Sequence, residues 1–327
     1  MKKLKVTSVF AVLCLATLAL ASRAQALTTN IDLRDVVSFG SAQDKAEAQA
    51  IINDVNASPL KYGLPEGIAY SKGKLKSIGE FAVSTLEVQN VTGTGYDLFA
   101  IYASGKDVVL NKISISSGVV SGIARTDLTK NPPSAQIDIL NRQMVLSERK
   151  SGFLKFQPVS LGALTNIRMG DESSGYKSLS PVMRRTYLSK SKSELSRTEP
   201  EYYQGRPFLR IIDQDQSDYG GFTPFGLHYK ISANFERGFV SNGCFRLRDT
   251  DLYELSSMVF LSRKNGVPLS IVASSSYGNR HPWPMINDWY NSPRVIADAN
   301  GRPVFMTIEH GLYQFDKKTG SPEMLLR

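Results

Sequence analysis

Beyond residue 26, this chain of 327 residues contains a single cysteine, Cys244. The other cysteine of the sequence, Cys14, lies in an apolar segment near the N-terminus. A lone thiol has no partner for an intramolecular disulfide, so such a cysteine is a liability unless it has a function. The roughly 300 residues after position 26 are enough for two domains with ample hydrophobic cores.

The first residues have the pattern of a secretory signal peptide. Three lysines stand among the first five residues, residues 6–21 are almost entirely apolar, and Ala24-Gln25-Ala26 supplies the small residues of a cleavage site. The apolar run is too short for a membrane span and nothing like it recurs, so we expect no transmembrane segment. The sequence therefore predicts export across an inner membrane to the periplasm or cell envelope.

The charge of the chain argues against nucleic acid as a partner. The net charge is +9, but the first 26 residues hold four basic groups and no acid, so the rest of the chain carries only +5. Nucleic-acid-binding proteins usually show dense lysine and arginine runs interleaved with aromatic residues, and the sequence has none. A mild positive charge does suit an anionic polymer of the cell envelope.

Turn-forming residues and hydrophobic periodicity divide the remainder into three parts. Residues 27–130 predict a small accessory domain of mixed α/β character, with a helix capped by Ser41 and three strands between residues 81 and 115. Residues 131–274 are β-rich, with further strands near 135–147, 153–159, 208–212 and 268–273. Residues 275–327 form a C-terminal extension, in which Asn300-Gly301 between apolar runs predicts a hairpin.

The β-rich part contains a long polar stretch and, after the cysteine, a predicted helix. The polar stretch, residues 163–205, separates predicted strands of one domain, and a connection of this length is typical of a functional lid. We therefore expect an insertion that caps a cleft. Past the cysteine, a helix is predicted over Leu252–Lys264, with Asp249-Thr250-Asp251 as its cap.

Cys244 stands in a local sequence that suits a nucleophile. A cysteine attacks a carbonyl as its thiolate, which needs a base close by and donors for the oxyanion that forms. His228, sixteen residues upstream, is the only histidine of the β-rich part. Gly243 permits a tight turn whose amide groups point at that oxyanion. Arg246 is expected on the same face of an extended segment as Cys244, where it would bind a carboxylate.

These residues resemble the signature of the L,D-transpeptidases, the YkuD-type catalytic domain. Gly226-Leu227-His228, followed by Ser241-Asn242-Gly243-Cys244-Phe245-Arg246-Leu247, is similar to the family's histidine and its Ser/Thr-x-Gly-Cys element with a nearby arginine. The likeness extends over roughly residues 134–274. It implies an α+β fold, in which a β-rich catalytic domain with mixed sheets or a sandwich, and a helix after the cysteine loop, follows the small α/β domain.

The resemblance also implies a reaction. Cys244 would attack a peptidoglycan stem peptide at the L-centre of diaminopimelate, with His228 as the base, and D-alanine would leave. The acyl group would then pass to an amine of a second stem peptide, of a D-amino acid or of an envelope protein's lysine. The backbone amides of Gly243 and Cys244 would form the oxyanion hole, and no metal or other cofactor is implied.

Four further residues are expected to contact the substrate: Arg246, Ser241, Asn242 and Tyr229. Many family members have glycine directly after the histidine, where this chain has Tyr229, so we expect the tyrosine to narrow the mouth of the pocket. Ser241 has two other interpretations, since its hydroxyl could contact His228 or could satisfy a backbone amide of the turn.

Two other functions stay open at this point. Water in place of the amine would make the protein a hydrolase, either an L,D-carboxypeptidase or an enzyme that cleaves a link between protein and peptidoglycan. An inert peptidoglycan-binding module is a third possibility, which the presence of His228, Cys244 and Arg246 together disfavours.

We predict that the mature chain begins at Leu27, because Ala24 and Ala26 occupy the small-residue positions of the cleavage site. N-terminal sequencing of protein purified from the cell envelope should give Leu27 as the first residue. Recovery of chains that begin at Met1 would contradict this.

Overall fold

The computed structural model describes most of the chain between residues 31 and 281, and four strands near the C-terminus. The described ranges are 31–66, 85–104, 106–138, 141–162, 186–191, 193–194, 206–213, 222–229, 235, 237–241, 244–272, 276–278, 280–281, 294–297, 303–308, 311–315 and 322–326. The predicted signal peptide, Asn242 and Gly243, and residues 163–185 of the expected cap lie outside them.

Within these ranges the protein is a β-rich α+β structure, as the sequence predicts, with three α-helices. The chain divides into two units. The first comprises the described residues up to Asn131 together with Arg149–Lys155, and the second comprises Pro132–Glu148 and the described residues from Phe156 onward. None of the described helices is both long and apolar enough to cross a membrane.

An antiparallel five-stranded sheet, with its strands in chain order, forms the frame of the first unit. The strands are β1 (Ile31–Asp32), β2 (Thr85–Gln89), β3 (Gly95–Ser104), β4 (Asp107–Ser116) and β5 (Val119–Asp127). The three predicted strands correspond to β2, β3 and β4 where the structure describes them. The sequence analysis did not predict β5, because this edge strand is largely exposed on both faces and so lacks an alternating apolar pattern.

Two helices pack on this sheet, α1 (Leu33–Phe39) and α2 (Ala42–Ala57), and a 3-10 turn follows at Pro59–Tyr62. The predicted cap of α2 is confirmed: the Ser41 hydroxyl accepts from the amide of Asp44, whose carboxylate accepts from the amide of Ser41, both at 3.2 Å. The core of this unit consists of buried apolar side chains from both helices and the sheet, including Leu33, Ile52, Val55, Leu86, Leu98, Tyr102, Val109 and Ile113.

A cluster of ionisable side chains is also buried in the first unit. Asp32 of β1 binds Arg34 at 2.6 Å and lies 3.6 Å from the fully buried Lys155. Glu87, which is only 1% exposed, pairs with Asp32 in the register of β1 and β2. Together with the buried Asp35, the cluster has three carboxyl groups and two cations. One carboxyl group is therefore in excess. Burial, followed by the charge of Asp32, raises the pKa of Glu87 well above its ordinary value.

We therefore predict that Glu87→Gln stabilises the first unit increasingly as the pH rises. Below the pKa of Glu87 in the unfolded chain, both states are protonated and the group costs nothing. Above it, ionisation is easier in the unfolded chain, so the wild type loses stability until the higher folded pKa is reached. Urea unfolding at about pH 5 and about pH 8 should show the variant gaining at least about 1 kcal/mol over the wild type between the two.

The matched control is Glu66→Gln, which changes an exposed glutamate of the same unit. That control should follow the wild type at both pH values. An equal pH dependence of unfolding in the wild type and in Glu87→Gln would contradict the prediction.

A ten-stranded mixed sheet forms the frame of the second unit. Its order is β13-β9-β14-β12-β11-β10-β15-β6-β7-β8. The strands are β6 (Ser134–Asp138), β7 (Gln143–Glu148), β8 (Phe153–Pro158), β9 (Ser160–Gly162), β10 (Thr186–Ser189), β11 (Phe208–Asp213), β12 (Phe222–His228), β13 (Gly238–Ser241), β14 (Phe245–Arg246) and β15 (Gly266–Val272). The strands predicted near 135–147, 153–159, 208–212 and 268–273 are confirmed.

Strand β10 corrects part of the expected insertion. It falls within residues 163–205, yet it pairs antiparallel with both β11 and β15 inside the sheet. Its buried Leu188 contributes to the core. The sequence analysis missed this strand because it has four residues and the segment around it is polar and charged. Residues 186–189 are therefore integral to the sheet, and a cap role stays a prediction for the remainder of residues 163–205, of which 163–185, 192 and 195–205 lie outside the described residues.

A buried arginine holds the predicted turn between β6 and β7. Arg237 is fully buried, and its guanidinium donates to the carbonyl oxygens of Asn141, of Arg142 at 2.9 Å and of His281 at 3.2 Å. Burial lowers the pKa of Arg237 to about 10. The turn at Asn141-Arg142 is confirmed, with Arg142 at φ +50°, a backbone conformation that this external clamp stabilises.

Helix α3 (Asp249–Leu261) follows the cysteine segment, in the region where the sequence predicts a helix. The predicted cap is wrong. Arg248 is the N-cap residue and its side chain makes no capping bond, whereas Asp249 is the first helical residue. Asp249 and Asp251 bind arginines instead: Arg206 at 2.6 Å and Arg248 at 2.5 Å, respectively. Ion pairing has thus displaced the local capping bonds that the sequence pattern favours.

A four-stranded antiparallel meander lies near the C-terminus. It consists of β16 (Arg294–Ala297), β17 (Pro303–Ile308), β18 (Gly311–Phe315) and β19 (Pro322–Leu326). The antiparallel pairing of β16 with β17 confirms the predicted hairpin, although the Asn300-Gly301 turn itself lies outside the described residues.

Candidate active site

Three neighbouring strands of the second unit direct one face to the core and the other to the candidate site. Leu209 of β11, Leu227 of β12 and Phe245 of β14 are fully buried. Leu209 pairs with Leu227 in the antiparallel ladder, and Leu227 pairs with Phe245 in the parallel one. Because successive side chains of a strand alternate between faces, the neighbours of these three residues are directed to the opposite face.

The pairing of these strands sets the predicted base beside the predicted arginine, next to the segment of the predicted nucleophile. His228 pairs with Arg246 in the parallel ladder. Cys244 directly precedes Phe245 and is a reduced, half-buried thiol, whereas Phe245 and Leu247 are buried. Cys244 itself lies at a bend just before β14, so the pairing of His228 with Arg246 brings the backbone segment of the cysteine beside the histidine. Sixteen residues separate the end of β12 from the start of β14, and the parallel pairing brings these two strands side by side.

A backbone carbonyl orients the imidazole of His228. Its Nδ1 lies 2.6 Å from the carbonyl oxygen of Tyr229, and a carbonyl oxygen can only accept, so the proton of the neutral ring belongs on Nδ1. The lone pair then resides on Nε2, which is the nitrogen able to take a proton from a thiol. The next residue of the chain therefore holds the histidine in the tautomer that a base requires.

Phe208 supports the ring from the neighbouring strand. It pairs with His228 in the ladder of β11 and β12, and the two rings stack at 5.8 Å with 15° between their planes. The phenyl ring lies over Gly226, where a Cβ atom would approach the Phe208 Cζ to 2.5 Å. Gly226 is thus required for the ring to lie where it contacts the histidine.

A hydrogen bond within the segment itself fixes the backbone around Cys244. Ser241 is fully buried, and its hydroxyl donates to the carbonyl oxygen of Cys244 at 2.5 Å. The serine thus satisfies a backbone carbonyl of the segment and not the backbone amide that the sequence analysis considered. Asn242 and Gly243, and with them the expected oxyanion hole, lie outside the described residues. Contacts of Ser241 and Asn242 with a substrate stay predictions.

Tyr229 lies against an arginine that the sequence analysis did not single out. The guanidinium carbon of Arg206 is 4.2 Å from the centre of the tyrosine ring, and its Nε donates to Asp249 at 2.6 Å. Burial on its own would lower the pKa of Arg206, but the hydrogen bond and charge of Asp249 outweigh burial and raise it. Arg206 is therefore a fixed cation beside the residue that orients His228.

The supporting contacts of Phe208, Arg206 and Asp249 are seen only in the structure. Their roles depend on pairing between segments far apart in sequence, which local patterns do not reveal. Gly226 offered a usable signal, since a glycine two residues before His228 on the same strand face leaves room for a neighbouring side chain. The predicted nucleophile and base were accessible from sequence, but the supports of the base were not.

The sequence matches no protein-family model, and no curated protein gives a match. Among the residues that the structure describes, no three histidine, cysteine, aspartate or glutamate side chains come together as metal ligands. The functional interpretation of the site therefore rests on its geometry and on the signature of its residues.

We predict that Gly226→Ala slows alkylation of Cys244 by iodoacetamide at neutral pH by at least about tenfold, because a displaced Phe208 ring shifts His228 away from its fixed orientation. The rate is read by intact mass, and the thiol is the only one after residue 26. Gly122→Ala is the matched control, since a Cβ there meets nothing within 4 Å. A rate in Gly226→Ala equal to that of the control would contradict the prediction.

Proposed function

We propose that this chain is an exported peptidoglycan L,D-transpeptidase, a cysteine acyltransferase that acts in the periplasm or cell envelope. The observation that carries the proposal is the parallel pairing of β12 with β14, which sets His228 beside Arg246, two residues after Cys244. The pairing supports a site in which these residue types act together, with the base oriented by a backbone carbonyl. An inert binding module would have no use for a histidine oriented in this way.

The first half of the reaction forms a thioester. Nε2 of His228 takes the proton of the Cys244 thiol, and the thiolate attacks the carbonyl at the L-centre of diaminopimelate in a stem peptide. The tetrahedral oxyanion is stabilised by the backbone amides of Gly243 and Cys244. As the intermediate collapses, the C–N bond breaks, D-alanine leaves as an amine that receives the proton from His228, and the acyl group remains on sulfur.

The second half transfers the acyl group. An amine attacks the thioester, His228 accepts its proton, and the thiolate leaves as the new amide forms. The amine can belong to a second stem peptide, a free D-amino acid or a lysine of an envelope protein. With water as the attacking group, the same machinery gives a carboxylic acid, which is the hydrolase alternative.

Charge on the site face favours an acidic substrate. Arg246 lies in register with His228 and is half-buried. Stem peptides carry free carboxylates, and a guanidinium binds a carboxylate through two parallel hydrogen bonds. In the proposed complex Arg246 holds such a carboxylate beside the scissile bond, while Tyr229 borders the mouth of the pocket.

The decisive experiment incubates the purified protein with tetrapeptide muropeptides and identifies the products by mass. Transfer predicts loss of D-alanine together with a cross-linked dimer, and hydrolysis predicts the tripeptide alone. Cys244→Ala should abolish both products and also the covalent adduct with a carbapenem, which the family resemblance leads us to expect. An adduct that forms equally in Cys244→Ala, or a wild-type enzyme that leaves all muropeptides intact, would overturn the proposal.

His228→Ala should lower the rate of acylation by about 10²–10⁴-fold, the usual contribution of a positioned proton-transfer group. His310→Ala is the matched histidine control and should retain the wild-type rate. Circular dichroism verifies that both variants fold. A near-normal rate in His228→Ala would remove the assigned base from the mechanism.

A further inference from the structure

Arg206 makes two kinds of contact next to the proposed base. Its Nε donates to one carboxylate oxygen of Asp249 at 2.6 Å, and its Nη2 lies 3.4 Å from the other. The same guanidinium lies over the ring of Tyr229, with the carbon 4.2 Å from the ring centre. The side chains of Arg206 and Asp249 are 14% and 21% exposed, so both contacts are partly shielded from water.

The three residues come from three different elements of the second unit. Asp249 is the first residue of α3, five residues after Cys244. Tyr229 directly follows β12, and Arg206 lies two residues before the start of β11. Arg206 therefore joins the helix that follows the cysteine to the residue that follows the histidine. This set, Asp249, Arg206 and Tyr229, is called the bracket below.

The bracket bears on His228 through the backbone. The carbonyl oxygen of Tyr229 accepts from Nδ1 of His228 at 2.6 Å, so the imidazole turns with the orientation of that peptide group. The ring of Tyr229 is held against a guanidinium that is itself fixed by Asp249. Immobilising the side chain of a residue that follows a strand end restricts the backbone torsions that direct its carbonyl.

We infer that Arg206 is a positioning residue, which holds Tyr229 against α3 so that the Tyr229 carbonyl keeps His228 oriented toward Cys244. The inference rests on the proposed function, because it presumes that His228 is the base. It assigns the arginine a task apart from binding substrate. Arginine suits that task better than lysine, because its planar fork can engage a carboxylate and stack on an aromatic ring at once.

The opposing explanation is that Arg206 binds a carboxylate of the substrate. The geometry favours positioning, since Asp249 already occupies one edge of the guanidinium and Tyr229 covers one face. The two explanations differ in what they predict for a reaction without substrate. A positioning residue affects the thiol toward any electrophile, whereas a substrate-binding residue affects only the stem peptide.

The test measures the alkylation rate of Cys244 by chloroacetamide, a small uncharged reagent, as a function of pH. In the wild type, transfer of the thiol proton to His228 should produce reactive thiolate well below the ordinary thiol pKa of about 8.5. Arg206→Ala should lower the rate at neutral pH by at least about tenfold and leave a profile governed by the thiol alone. The double variant Arg206→Ala/His228→Ala should be no slower than His228→Ala, since both changes remove the same function.

Two further variants complete the set. Asp249→Asn removes the charge that fixes Arg206 but preserves the shape of the side chain, so it should lower the alkylation rate of Cys244 to a value between those of the wild type and Arg206→Ala. It also provides the test of the inference if Arg206→Ala does not fold. Arg125→Ala removes an exposed arginine of β5 and is the matched charge control, which should keep the wild-type profile.

The outcomes separate this inference from the proposed function. If His228→Ala keeps the wild-type profile, the base role and with it the proposed function fail. If His228→Ala loses the low-pH reactivity while folded Arg206→Ala and Asp249→Asn keep it, only the positioning role is overturned. A wild-type alkylation profile combined with a raised KM for the stem peptide in Arg206→Ala would establish substrate binding instead.

Discussion

The parallel pairing of β12 with β14 is the constraint on which the candidate site depends. Strand β14 has only two residues, and its position is fixed by the amide of Leu247, which donates to the carbonyl of His228 at 3.0 Å, and by the antiparallel pairing of Arg246 with Ser160. The buried side chains of Leu227 and Phe245 specify the register. A slip by one residue would turn the candidate site face into the core, which makes that register costly to lose.

Around this pairing, the imidazole is constrained from three directions. Phe208 stacks on the ring, the Tyr229 carbonyl accepts from Nδ1, and the peptide of His228 itself is bonded to the strand beside it. A side chain with little freedom left loses little entropy when a reaction requires one orientation. The net charge of +5 on the residues after position 26 is compatible with the anionic polymer that we propose as substrate.

The elements that could be predicted from the sequence are those specified by local sequence patterns. The capping box at Ser41, the turn at Asn141-Arg142 and five of the ten strands described in the large sheet of the second unit carry such signals. It failed where tertiary contacts override local pattern: β10 is too short and polar in context to stand out, and Asp249 binds Arg206 instead of capping a helix. For the site, the cysteine motif indicated the nucleophile. The aromatic and ionic supports of His228 arise from pairing between distant segments, and no periodicity encodes them.

Because the site depends on pairing between separate segments, the state of Cys244 before folding differs from its state in the folded protein. Strand β14, which directly follows Cys244, pairs in parallel with the strand that ends at His228, and parallel strands cannot be joined by a tight two-residue turn. If Cys244 and His228 act as proposed, a chain in which this pairing has not formed leaves the thiol without its base, and the thiol then has the modest reactivity of an ordinary cysteine. In the proposed mechanism, reactivity of the sulfur would therefore be acquired only when the sheet is complete, and a newly made chain would carry an unreactive thiol.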